Sequence, residues 1–143
     1  MRCVLSLFLL FLSACQTSQG SRDPIVGAWF VTTPEAPFRY HMFAFHSDGT
    51  MQQSNPDGGN PNTSDSSGIG VWTRDGDVVR GRFVEVTADR GTHQFVSRGE
   101  ISFRIQVHGD NFSGPATAEF ADLAGKPLRS PIQATLAGQR IKP

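Results

Sequence analysis

The sequence predicts an all-β chain in which eight antiparallel strands close into an up-and-down barrel. Three observations carry that prediction. Eight β-prone runs follow one another with turn signals at short intervals, and no βαβ spacing interrupts them. No helical period of useful length appears beyond residue 15. The first run carries Gly27-Ala28-Trp29 and the last carries Arg140; an Arg from the last strand over a Trp on the first plugs one end of a closed barrel. Composition agrees, because 15 Gly, 9 Pro and 11 Phe suit a chain of strands and turns.

The first strand spans residues 25–33, with Ile25, Gly27, Trp29 and Val31 on one face, placed inward if Trp29 is the plug. A Pro-bounded connection (33–37) leads to the second strand, 38–47, apolar or aromatic on both parities. Asp48-Gly49 is a hairpin turn, and 50–54 forms a short third strand. Residues 55–67 contain no apolar side chain and form the longest irregular stretch, suited to a lid over one barrel end. The fourth strand is 68–74 and the fifth is 78–88, separated by Asp75-Gly76-Asp77. After a turn at 89–91 the sixth strand runs from 92 to 107, with Gly99 expected to bend or bulge it. Its second half alternates, Ile101, Phe103, Ile105 and Val107 against Ser102, Arg104 and Gln106. A turn at 108–111, a seventh strand at 112–121, a Gly- and Pro-rich turn region at 122–131 and an eighth strand at 132–141 complete the set. Closure removes exposed sheet edges, and an eight-stranded barrel either just fills with side chains or holds one small ligand.

The chain opens with Arg2 and an apolar run at 4–12, too short to span a bilayer and fitting a secretory leader. Leu12-Ser13-Ala14-Cys15 resembles the bacterial lipobox. That resemblance implies cleavage before Cys15, acylation of its thiol and permanent anchoring in the cell envelope. Gln16 stands where an inner-membrane retention signal usually has Asp, which points to the periplasmic face of the outer membrane. The expected division is a leader at 1–14, a flexible tether at 15–23 and a barrel domain at 24–143. Charge is balanced, 13 Lys and Arg against 13 Asp and Glu, so nothing favours nucleic acid, and the membrane is reached through the anchor only. Cys3 leaves with the leader and Cys15 is acylated, so no thiol remains for a disulfide, a nucleophile or a thiolate metal site.

Gly27-Ala28-Trp29 with Arg140, together with the segments FAFHSDGTMQQS, GIGVWTRDGD and LAGQRI, resembles the calycin barrels, that is the lipocalins and their bacterial lipocalin-like relatives. The resemblance implies that Gly27, Trp29 and Arg140 are structural, closing the barrel through a cation–π stack. The disulfide and C-terminal helix that lipocalins often add are not evident.

Four histidines are present. His46 and His108 adjoin turn glycines, whereas His41 and His93 are placed in strands. His41 shares a parity with Phe43 and Phe45, where it either orients a ligand, acts as an acid/base, or is simply a hydrogen-bonded strand residue. No HxH or HxxxH spacing supports a metal, and the acidic loop with Asp57, Asn60, Asn62 and Asp65 does not follow the EF-hand order. Glu85 and Glu119 lie in strands, and whichever faces the interior would have a raised pKa. No P-loop, dinucleotide fingerprint or nucleophile elbow appears, and no cofactor is implied.

The expected function is binding of a small, largely apolar molecule by a lipid-anchored barrel, lined by Trp29, His41, Phe43, Trp72, Phe83 and Phe103. Two alternatives stay open. One is a small β-barrel isomerase or cyclase using a His41 and Glu85 pair. The other is an inhibitor-like lipoprotein that binds a protein through the 55–67 loop. A hollow interior favours the first two, and a filled interior with a protruding ordered loop favours the third.

Overall fold

In the computed structural model, residues 23–56 and 60–143 are described. The expected leader, the acylation site Cys15 and most of the tether lie outside them, as does Asp57. Asp23, read as the last tether residue, is fixed to the fold: Arg74 Nε and Nη2 donate to its two carboxylate oxygens, both at 2.7 Å. The Asp23 Oδ1 also accepts from the Ile25 amide at 2.9 Å, turning the chain into the first strand.

Among the described residues nine strands follow: β1 Gly27–Thr32, β2 Tyr40–Phe45, β3 Thr50–Ser54, β4 Thr63–Asp65, β5 Gly68–Asp75, β6 Val78–Asp89, β7 Phe95–His108, β8 Asn111–Ala121 and β9 Ile132–Arg140. Eight of them close a ring in the order β1-β2-β3-β5-β6-β7-β8-β9, every neighbour antiparallel. Each strand pairs with the next one along the chain, and the ring closes where β9 meets β1, with Trp29 opposite Arg140. This is the expected eight-stranded up-and-down barrel.

Three details differ from the sequence expectation. The stretch at 55–67 is not wholly irregular, because β4 lies within it and pairs Thr63, Ser64 and Asp65 with Asp89, Ala88 and Thr87. Its three residues are polar and half-buried, so no hydrophobic alternation marks them. Gly99 is not a bulge: it pairs regularly with Glu85 and with Phe120, and the register shift falls instead between Thr87 and Ala88, opposite Val96. A Cβ at Gly99 would sit 3.0 Å from Glu85 Cγ and 3.1 Å from a Phe120 ring carbon, so the glycine makes room for both side chains. Finally, β7 begins at Phe95 rather than residue 92, and His93 lies outside the strand with φ 60°. The Asp89 carboxylate explains this, since it accepts from the amides of Gly91 and Thr92 and from the Thr92 hydroxyl.

The lower half of the barrel is solid. Trp29, Phe45, Met51, Val79 and Ile105 are fully buried there, beside Trp72, Phe103 and Phe112. Rings cross at steep angles, Phe45 against Trp72 at 6.1 Å and 86° and against Phe103 at 6.1 Å and 83°, the edge-to-face geometry aromatic pairs favour. Both indole N–H groups are satisfied by backbone: Trp29 Nε1 donates to the Ile25 carbonyl at 2.8 Å, and Trp72 Nε1 to those of His46 and Thr50.

Arg140 seals this end. Its guanidinium lies 4.2 Å over the Trp29 ring, Nη1 donates to the Val26 carbonyl at 3.1 Å, Nη2 to that of Pro24, and Nε pairs with Asp110 at 3.2 Å. Gly27 is required beneath it. Its φ is 140°, and a Cβ there would stand 2.8 Å from Arg140 Nη1. Replacing Arg140 with Lys keeps the charge but loses the planar stack and the fork of hydrogen bonds. Urea unfolding of Arg140→Lys is expected to show a loss of about 1–3 kcal/mol; a change within about 0.5 kcal/mol, the usual span for a surface substitution, would remove Arg140 from the closure.

Candidate functional site

The upper half of the barrel is hollow because its inward positions change size. Along β8 and β9 the inward side chains below are Phe112 and Leu136, whereas above them come Ala116, Ala118 and Ala134, before Phe120 and Ile132 nearer the rim. On β6 and β7 the large Phe83, Phe103 and Ile105 give way to Glu85, Thr87, Ser97 and Gly99. The result is a cavity of about 560 Å³, open toward the β1–β2 connection, the β4 segment and the β8–β9 turn region. That volume lies in the range of small-molecule sites. Its floor is Phe43, Phe83, Ile101 and Leu136, with the Phe43 and Phe83 rings 5.6 Å apart at 76°.

Of the six residues expected to line a ligand site, all face inward, and the structure divides them. His41, Phe43 and Phe83 line the cavity, while Trp29, Trp72 and Phe103 sit among the packed side chains of the solid half. The other histidines, His46, His93 and His108, are exposed, and Glu119 points outward.

One wall is a fixed polar network. The Gln53 side chain is 2 % exposed, and its Oε1 accepts from the Gly68 amide at 3.0 Å. That bond to backbone orients the amide, so Nε2 is the donor, to Asn55 Oδ1 at 2.6 Å and to His41 Nδ1 at 3.2 Å. His41 Nδ1 therefore accepts, and the neutral ring carries its proton on Nε2. Burial pushes the His41 pKa down, with the Phe38 carbonyl acting weakly the other way. Thr33 is 6 % exposed and lines the cavity, and its hydroxyl oxygen has no hydrogen-bond partner among the described residues.

The wall formed by β4 and β6 is acidic. Asp65 Oδ1 accepts from the Thr87 hydroxyl at 2.7 Å. Glu85, half-buried, has no hydrogen-bond donor or cation paired with it among the described residues. Burial first, and the Asp65 charge second, push its pKa up to about 7. His41 and Glu85 thus open into one cavity, but β3 and β5 separate their strands in the ring and no hydrogen bond or ion pair joins them. At the rim, Arg129 lies 3.8 Å over the Phe120 ring and Glu35 Oε2 accepts from the Thr135 amide at 3.2 Å. Among the described residues no three His, Cys, Asp or Glu side chains gather as a metal would need.

Sequence reasoning singled out His41 and Glu85 but passed over Gln53, Thr33 and the alanines. Gln53 shares the inward parity of Met51, so a polar residue at an apolar position was its signal. Ala116 and Ala118, two residues apart in a strand, marked a missing volume.

No protein-family description matches the chain, and no curated protein matches it. Among solved structures, that of Rv2717c from M. tuberculosis is similar, with a TM-score of 0.42 and 14% identity over 84% of this chain and 94% of that one. A likeness that distant carries no argument about function.

Glu85 sets a measurable pH dependence. Unfolded, its carboxyl titrates near the ordinary 4.5, and folded near about 7. Between those values the folded chain holds a proton that the unfolded chain has released. Stability therefore falls as pH rises from 4.5 to about 7, and the full penalty persists above. Discounted for its partial exposure, the penalty is about 1–2 kcal/mol. Glu85→Gln is expected to melt above wild type at pH 8, with the gap closing below pH 4.5; a gap independent of pH would show that burial of the charge is not its cause.

Proposed function

We propose that this protein is a calycin-type, lipid-anchored barrel of the bacterial cell envelope that binds one small, largely apolar molecule in its hollow half. The single observation behind this reading is the cavity of about 560 Å³ inside an otherwise closed barrel. A solid interior would have favoured recognition through a surface loop. The apolar floor and the alanine wall suit a hydrocarbon or ring body, and the few fixed polar groups at His41, Gln53 and Asn55 suit a means of orienting it. The Gly27, Trp29 and Arg140 closure supports the calycin-type reading, and the lipobox-like Leu12-Ser13-Ala14-Cys15 supports the anchor. A bond-making role for His41 and Glu85 has less behind it, because among the described residues no hydrogen bond or ion pair joins them and two strands separate theirs in the ring.

Filling the cavity tests the binding reading. Ala118 opens into the space from β8, between Ile101 on β7 and Ile132 on β9. Ala118→Trp is expected to keep the fold while weakening binding of a neutral apolar probe, N-phenyl-1-naphthylamine, at least tenfold by fluorescence titration. Equal binding by wild type and variant would place the probe elsewhere and remove the support for an internal site. The anchor has its own test: Cys15→Ser is expected to move the protein from the membrane to the soluble fraction of lysed cells, and unchanged membrane association would overturn acylation at that residue.

A further inference from the structure

The charge around the cavity is lopsided, and this bears on what the ligand is. Its charged lining consists of Glu35, Asp65 and Glu85 against one cation, Arg129. The two at the rim are exposed and engaged, Arg129 with the Phe120 ring and Glu35 with the Thr135 amide. The two deeper groups, Asp65 and Glu85, are both acidic. Every arginine or lysine ion pair formed among the described residues goes to some other carboxylate, at Asp23, Asp75, Glu100 or Asp110. His41, across the cavity, is held neutral by burial and by the amide that donates to its Nδ1. Among the described residues the wall thus carries a half-buried carboxylate with no donor beside a second carboxylate whose only donor is the Thr87 hydroxyl.

Buried ionisable groups are ordinarily paired, and an unpaired one marks a partner that is not part of the chain. A second and independent sign of a missing partner is Thr33, which is 6 % exposed and lines the same space, and whose hydroxyl bonds to nothing among the described residues. A carboxylate ligand would meet two like charges on this wall. An uncharged one with a hydroxyl could give Glu85 a single hydrogen bond but no opposite charge. An ammonium group supplies three donors and the opposite charge at once.

Resting on the binding reading above, we propose that the ligand is a lipophilic amine, its ammonium group held by Glu85 and Asp65 and its apolar body lying against the alanine wall of β8 and β9. The small side chains Ala116, Ala118 and Ala134 leave the space for that body, and Gly99 leaves the space in which Glu85 extends toward it.

Three probes of equal chain length separate the possibilities: heptylamine, heptanol and heptanoate. Each displaces N-phenyl-1-naphthylamine from the purified full chain, in one detergent or lipid throughout, so that partitioning is common to every variant and cancels. Heptylamine is expected to displace the dye at a concentration at least tenfold below that of heptanol, with heptanoate weakest. Glu85→Gln, which keeps the shape and removes the charge, is expected to erase most of heptylamine's advantage over heptanol measured on the same variant, and Asp65→Asn to reduce it. Heptanol as strong as heptylamine, heptanoate stronger than either, or an amine advantage that survives Glu85→Gln would each overturn the amine assignment while the apolar site stands. Failure of all three probes, heptanol included, would overturn the binding reading and the assignment with it.

Discussion

Closure fixes the width of this molecule's interior, and the rest follows from that constraint. Eight strands make a space that side chains just fill when they are large and leave open when they are small. Here large inward side chains fill one half and alanines interrupt them in the other, so a single barrel contains both a protein core and a cavity. In the solid half, glycines opposite phenylalanines adjust the fit: Phe103 lies across Gly81, and Phe112 across Gly138. No lid domain or inserted helix is needed to make a binding space, because the change from Phe112 and Leu136 to Ala116, Ala118 and Ala134 is enough.

The solid half also explains why the hollow half can exist. A cavity forfeits the packing contacts its lining would otherwise make, at roughly 24 cal/mol per Å³ in core truncations. The opposite end offsets that loss with a dense aromatic cluster. Its seal at Arg140 joins the last strand to the first through a stacked guanidinium, two backbone carbonyls and the Asp110 carboxylate. Because Arg140 also pairs with Trp29 in the β1–β9 ladder, the seal and the ring closure are the same contact.

Within the hollow half the polar groups differ in kind. Gln53, Asn55 and His41 are mutually satisfied, which fixes their orientation and the histidine tautomer. Glu85 and the Thr33 hydroxyl are left without partners among the described residues. A satisfied network keeps its geometry in the absence of a ligand, and an unsatisfied carboxylate lowers stability until something binds it. Both kinds of group open into one space.

How much of this was legible follows from the range over which each feature is decided. Turn residues such as Asp48-Gly49 and Asp75-Gly76, and alternation such as Ile101 to Val107, act between neighbours in sequence, so the eight barrel strands, their order and the inward face of β1 could be read from the chain alone. The three polar residues of β4 could not, since they form a strand only because β6 extends past β5 and offers an unpaired edge. Gly99 signalled a small residue but not its purpose, because Glu85 and Phe120, which need the room, are 14 and 21 residues away in sequence. Likewise the two-residue period grouped the side chains of each strand into faces, Trp72 with Gly70 and Phe83 with Glu85, but on these two strands it did not decide which face points inward. Only the tertiary structure decided that Trp72 is core and Phe83 is the floor of a cavity, because height along the barrel depends on the register of all eight strands summed around a closed ring.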